Sequence, residues 1–294
     1  MKQLWSRHQS WLTPALLLFL PVVLFGTVIV ASAGQSIWIS FFDWDGTGPK
    51  TWVGVGNFVE LFSDPQFMVS LKNNVIWLAL FLLAPVFGLA LAILLNQKLP
   101  ELRFVKSVFF IPLVLAHVII GVVFAWFYDP TFGLLAVAFK ALGLTPIAVL
   151  SSEHWVTFGI IVAALWAQVA FCLVLFLASL SQIDDELVAA ARLDGASGWR
   201  LFCHIVLPQL HSVTFVASII TVIMSLRNFD MISVMPQGGP YGRSTVLAYQ
   251  MYDATIFSYR AGYGAAIATV PFVIMSFYIG WFPRHTLRQE KKGR

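Results

Sequence analysis

Residues 184–204 hold a dense group of side chains able to do chemistry. Asp184, Asp185 and Glu186 come first, then Arg192, Asp194, Arg200 and His204, with Ser197 set in a Gly-Ala-Ser-Gly run at 195–198. A serine between glycines suits nucleophilic catalysis if a base lies within hydrogen-bond reach. The later histidines, His211 and His285, fall at or beyond the ends of apolar segments, and Ser197 is surrounded by charge. That is the wrong setting for an intramembrane protease. A phosphate cradle needs Gly-x-x-x-x-Gly-Lys-Ser/Thr. The nearest stretch, GGPYGRST at 238–245, has the wrong spacing and Arg243 in place of the lysine. Ion-coupled carriers place ionisable groups near the membrane midplane. His117 is the one such group inside an apolar segment, and a single histidine in a bundle serves as readily as a structural hydrogen-bonding residue. Neither Cys172 nor Cys203 has the neighbours of a metal site.

The elements that position these residues are membrane spans. The chain of 294 residues is 59% hydrophobic and 11% charged, with mean hydropathy +0.82. A soluble domain carries about 25% charge. About 20 apolar residues cross the roughly 30 Å hydrocarbon core as a helix. Six stretches qualify: 12–33, 74–95, 107–127, 157–180, 209–229 and 261–282. The ten-residue alternation of a membrane barrel is absent from the sequence. Ala31-Ser32-Ala33 resembles a signal-peptide cleavage site, but the apolar run before it is longer than a signal core. An uncleaved first span is therefore expected, with 1–11 as the N-terminal segment.

Lys and Arg collect on the cytoplasmic side of membrane proteins. With the N-terminus inside, that side holds Lys2, Arg7, Lys98, Arg103, Lys106, Arg192, Arg200, Arg284, Arg288, Lys291, Lys292 and Arg294. The other side holds Lys50, Lys72, Lys140, Arg227, Arg243 and Arg260. Twelve against six places both termini, including a basic tail at 283–294, in the cytoplasm. The positive balance belongs to a membrane face, and no basic patch interleaved with aromatics points to nucleic acid.

The charged segment, 181–208, then becomes a cytoplasmic loop between spans four and five. Asp184, Asp185 and Glu186 suit the first turn of a helix, where the dipole favours anions. Leu187, Ala190 and Ala191, at i, i+3 and i+4, form one apolar, small-residue face. Gly195 is placed to end the helix in a left-handed conformation. Ser197 is placed to cap a second short helix, and Pro208 suits the start of the next span. A plain connector needs only a few residues, so nearly thirty patterned ones suggest a docking element.

On these residues the chain resembles the permease subunits of binding-protein-dependent ABC importers. ARLDGASGWRLFCHIVLPQL at 191–210 is similar to their EAA loop, with Asp-Gly-Ala at 194–196 and Ile-x-Leu-Pro at 205–208 in register. VGVGNFVELFSDPQF (53–67), NFDMISVMPQGGP (228–240) and GYGAAIATV (262–270) resemble the carbohydrate-uptake branch, which includes importers of oligosaccharides and of glycerol phosphate. The family pattern has Glu where Ala189 stands, and Pro where Asp184 stands.

The resemblance implies an all-α type I (MetI-like) fold of six transmembrane helices with a cytoplasmic coupling helix, in a bacterial or archaeal cytoplasmic membrane. It implies a non-catalytic subunit and assigns ATPase coupling to Asp185, Glu186, Leu187, Ala189, Ala190, Arg192, Asp194, Gly195, Ala196 and Arg200. Its implied partners are a second permease, two cytoplasmic ATPase subunits that bind ATP and Mg, an extracytoplasmic solute-binding protein, and lipid. No cofactor is expected in this chain. Carried onto matching positions, solute contact falls to Gln168, Phe171, Met224, Ser225 and Asn228. The residues themselves agree in part. Gln168 lies mid-span, where an unsatisfied amide costs several kcal/mol, so it must face ligand, water or a neighbouring helix.

Overall fold

The computed structural model describes residues 17–97 and 102–292, with 281–292 as backbone only. The N-terminal segment 1–11, the start of the first expected span and Lys98 lie outside the described residues, as do the side chains of the basic tail.

Helices account for nearly all of the described fold. Five are long and apolar enough to cross a membrane, and a bent pair makes six when it is counted as one broken span. By their internal contacts the residues form two units.

The first unit contains residues 17–63 and 251–273. Its first helix, α1 (Leu17–Ile39), runs without a break through Ala31–Ala33. A two-residue hairpin follows, β1 (Phe42–Asp43) antiparallel to β2 (Thr51–Trp52), a small addition to the all-α fold. Then comes α2 (Gly56–Ser63). Asn57, buried, donates its amide to Ser40 O at 2.9 Å and Phe42 O at 2.8 Å. Arg260 grips Glu60 with two hydrogen bonds, at 2.8 and 2.6 Å, and this pairing raises the guanidinium pKa.

In the second unit, α3 (Pro65–Leu95) begins nine residues before the expected span. Asp64 caps it by accepting Gln66 N at 2.8 Å, and Pro65 takes the first helical position, where its missing N–H costs nothing. Its 31 residues rise about 46 Å at roughly 1.5 Å each, more than the bilayer core, so one end must project. The third stretch, expected as one helix, is two: α4 (Leu102–Val114) and α5 (His117–Phe127), bent by 104°. Pro112 removes one helical hydrogen bond in α4. The break itself falls at Leu115–Ala116, where Ala116 is extended (φ −63°, ψ 141°).

Next come α6 (Leu134–Ala141) and α7 (Val156–Leu180), then α8 (Asp185–Leu193) and α9 (Gly198–Leu201). A wide-turn segment over 202–206 and a short turn, Leu207–Gln209, lead into α10 (His211–Leu226). The expected fifth span, 209–229, falls on an apolar crossing from His211 to Val234, in which residues 227–229 interrupt the helix between α10 and α11 (Asp230–Val234). Finally, α12 is Leu247–Tyr252 and α13 is Ala261–Lys292, whose helical backbone continues into the expected tail.

Small residues set the packing. Ala84, Gly88 and Ala92, one turn apart on α3, are buried against Cys172, Leu173 and Phe176 of α7. This suits helices in lipid, where association depends on close backbone approach. A second core gathers Trp77 and Phe81 with Ile120, Ile160, Ile161 and Met231. Gly121 of α5 lets α11 lie close, since a Cβ there would sit 3.4 Å from Met231 Sδ and 3.5 Å from Val234 Cβ.

Candidate coupling loop and solute-path residues

The loop between α7 and α10 is built from local signals. Asp184 adopts an extended conformation and accepts Glu186 N at 2.8 Å, so it caps α8 rather than sitting inside its first turn. Asp185 and Glu186 occupy that turn and Arg192 the last one, both favourable to the helix dipole. Gly195 has φ +85°. Gly195 N donates to Arg192 O at 3.1 Å, and Ala196 N donates to Ala191 O at 2.9 Å. This paired arrangement is the Schellman closure that a left-handed glycine permits.

Two expectations need correction. Ser197 stands at the cap position of α9, but its hydroxyl makes no capping bond, and the following Gly198 is also left-handed at φ +48°. The face of Leu187, Ala190 and Ala191 is divided as well. Ala191 is 9% exposed and turned into the protein, whereas Leu187, Ala189 and Ala190 are exposed. A 100° step per residue separates the two sides of so narrow a stripe, and the body of the protein claims only one. The outward surface is Leu187, Ala190, Leu193 (90% exposed) and Trp199 (75% exposed), beside the exposed charges of Asp185, Glu186, Arg192, Asp194 and Arg200. A shallow cavity of about 430 Å³ lies at the turn, lined by Arg192, Gly195, Ala196, Ser197, Gly198 and Leu201.

The residues expected to contact solute are placed unequally. Gln168, buried in α7, donates Nε2 to Thr221 Oγ1 of α10 at 2.9 Å, and Cys172 Sγ lies 3.9 Å from the same hydroxyl. Of the alternatives open to it, Gln168 takes the neighbouring helix. Ser225 is fully buried and donates back to Val222 O at 2.8 Å. Phe171 is half-buried against the α3–α7 core. Met224 is exposed and Asn228 half-buried just beyond the end of α10. Thr221 was not singled out in the sequence. A threonine in a span is unremarkable until its partner, 53 residues away, is known.

Elsewhere in this unit, amide side chains hold the loop at 238–246 by its backbone. Gln66 donates to Gly242 O at 3.0 Å, and Asn73 to Arg243 O at 2.6 Å and Thr245 O at 2.8 Å. Asn74 accepts Leu247 N at 2.9 Å, and Arg243 pairs with Glu153 at 3.0 Å. The glycine-rich run considered above as a phosphate cradle is thus a pinned loop. An unmade buried hydrogen bond costs roughly 1–3 kcal/mol. Asn73→Leu takes the amide from Thr245 O and leaves Arg243 O with only the 3.4 Å bond from Thr157 Oγ1, and is expected to lower the unfolding temperature by several degrees, measured by tryptophan fluorescence in detergent.

The sequence profile of the family described as binding-protein-dependent transport system inner membrane component matches residues 10–287. The chain belongs to this family. A relative within the binding-protein-dependent permeases is a probable ABC transporter permease of Pyrococcus horikoshii, 34% identical over 282 residues, covering 91% of this chain and 95% of that protein. Another is the alpha-glucoside transport system permease protein AglF of Rhizobium meliloti, 31% identical over 294 residues, covering 96% of this chain and 83% of that one. Among solved structures, a bacterial alginate ABC transporter in complex with alginate pentasaccharide-bound periplasmic protein superposes with a TM-score of 0.78, at 23% identity, over 94% of this chain and 95% of that one.

Membership makes this chain a transport permease with the inner-membrane, six-span fold expected from its sequence. The protease and ion-coupled-carrier readings give way to the binding-protein-dependent permease.

Proposed function

We propose that the chain is one of two permeases of an ATP-driven importer, with the solute passing between them. Two cytoplasmic ATPases bind ATP and Mg, one docking on each permease, and an extracytoplasmic binding protein delivers the solute. Both termini and the α8 loop lie in the cytoplasm of a bacterial or archaeal cell. This chain holds no cofactor and performs no hydrolysis. The observation that carries the reading is the α8–turn–α9 unit. It is fixed at its base by Ala191, closed by Gly195, and presents Leu187, Leu193 and Trp199 outward. Exposed large apolar side chains beside charges suit a protein partner. With Ala189 in place of glutamate, the polar part of that contact passes to Arg192, Asp194 and Arg200.

The solute is a sugar or a related polyol or glycerol phosphate. The named solutes of the alpha-glucoside permease and the alginate transporter support this class. Phe171, Met224 and Asn228 are the accessible members of the solute set. Gln168 and Ser225 act from inside the bundle, Gln168 by holding Thr221. A site built on neutral hydrogen bonds loses roughly 0.5–1.5 kcal/mol per bond removed. Asn228→Ala and Phe171→Ala are therefore expected to reduce transport several-fold while ligand-free ATPase activity survives.

The decisive experiment is co-purification with the proteins encoded beside it, followed by ATPase assays in nanodiscs. Hydrolysis should rise with a sugar-loaded binding protein. Failure of any ATPase subunit to co-purify, or indifference to every sugar and glycerol phosphate tested, would overturn the proposal.

A further inference from the structure

Helix α2 leaves a row of apolar side chains uncovered. Val55, just before it, and Val59 and Phe62 within it stand at i, i+4 and i+7, on one side of the helix. They are 61%, 63% and 58% exposed. The other sides are engaged. Asn57 and Leu61 are buried, Asn57 holds Ser40 O and Phe42 O, and Glu60 holds Arg260.

The hairpin joins this row to the end of α1. The Trp52 ring lies 5.6 Å from Trp38 in the last turn of α1. Phe41 stacks on Trp52 at 5.8 Å and reaches Phe58 of α2 at the same distance. Trp38 and Trp52 are themselves exposed. Polar groups gather instead at the hairpin tip, where Asp45 accepts Thr47 N and Gly48 N and Lys50 lies over Trp44.

Two features identify what covers the row. First, it continues the surface of α1, a 23-residue apolar span with no buried residue. Apolar surface that continues past the end of a span reaches the boundary between acyl chains and headgroups. Second, tryptophans mark the junction, and Trp favours that boundary because its ring is apolar and its N–H seeks water. A helix with one apolar and one polar face beside such anchors suits the plane of the interface.

We propose that α2 and Trp52 lie in the membrane–water boundary at the Ile39 end of α1, with Val55, Val59 and Phe62 against acyl chains. The partner of this surface is the bilayer. Asn57 and the Arg260–Glu60 pair set the angle of the helix, keeping its polar side in place while the apolar side meets lipid.

The test uses the full chain in nanodiscs of phosphatidylethanolamine and phosphatidylglycerol, with Cys203→Ser to remove the accessible native thiol. A nitroxide at Val59→Cys is compared with one at Thr47→Cys on the polar hairpin tip. The ratio of collisions with oxygen to collisions with a water-soluble nickel complex should be several-fold higher at position 59. A label at Val55→Cys must give the same ordering, which guards against a local distortion at either site. A ratio at 59 equal to or below that at 47 would place the row in water and overturn the proposal. Inaccessibility to both reagents would also overturn it, because protein rather than lipid would then cover the row.

Discussion

Gly88→Val is expected to prevent the chain from accumulating as folded protein. A Cβ at position 88 would lie 2.5 Å from Cys172 Cβ, 2.9 Å from Leu173 N and 3.0 Å from Cys172 C. Two of these are backbone atoms of a buried helix, so no side chain can swing aside to relieve the overlap. Overpacking a well-filled site typically costs 1–3 kcal/mol, occasionally more, and here the helices must separate along the Ala84–Gly88–Ala92 row. Monodisperse yield in detergent measures the effect. Gly34→Val is the matched control, because a Cβ there meets nothing within 4 Å and the residue sits in an exposed helix. If Gly88→Val purifies and unfolds at the parental temperature, the α3–α7 contact described above is wrong.

Gly195→Val should act differently, leaving the fold intact and breaking the link to ATP hydrolysis. Nothing stands within 4 Å of a Cβ at 195, so the cost is backbone conformation alone. At φ +85° an L residue with a Cβ pays about 1–2 kcal/mol, and a branched one pays no less. Relieving that strain loosens the bonds from Gly195 N to Arg192 O and from Ala196 N to Ala191 O, and α8 loses its fixed end. Membrane insertion should match the parent and the unfolding temperature should fall by no more than a few degrees, while sugar-stimulated ATPase activity falls several-fold. Gly195→Asn, which tolerates the left-handed region better than valine, should recover much of the coupling. Parental stimulation in Gly195→Val would remove the docking role from this turn.

The parts legible in the sequence were those specified by neighbours in the chain. Helix α8 runs from Asp185 to Leu193, within the 185–193 that its acidic start and Gly195 imply, because caps and left-handed glycines act over a few residues. The apolar segments were legible for the same reason, since hydropathy over about 20 residues is a local sum. The bend at Leu115–Ala116 was not. A window over 107–127 is apolar whether its helix is straight or broken, and the bent arm is supported by α11, more than a hundred residues later. Nor did the sequence show that Gln168 is taken by Thr221, or which side of α8 the protein would claim through Ala191. Both depend on which faces meet in space. The similarity to the permease family supplied the site residues, and the coordinates then divided them into exposed and internal groups.

The loop at 238–246 is held by amides that grasp carbonyl oxygens, Gln66 on Gly242 and Asn73 on Arg243 and Thr245. A carbonyl oxygen is the same group whatever side chain its residue carries. The shape of this segment is therefore stored partly outside it, in α3, and partly in its own turn bonds, such as Ser244 Oγ to Gly239 O at 2.7 Å and Arg243 N to Pro240 O at 2.9 Å. Tyr241, 88% exposed and left-handed at φ +49°, can be exchanged among residues that accept that conformation without disturbing the clasps, whereas Arg243 is committed to Glu153. A designer who wishes to alter what this surface greets can rewrite Tyr241 and leave Gln66 and Asn73 to keep the outline.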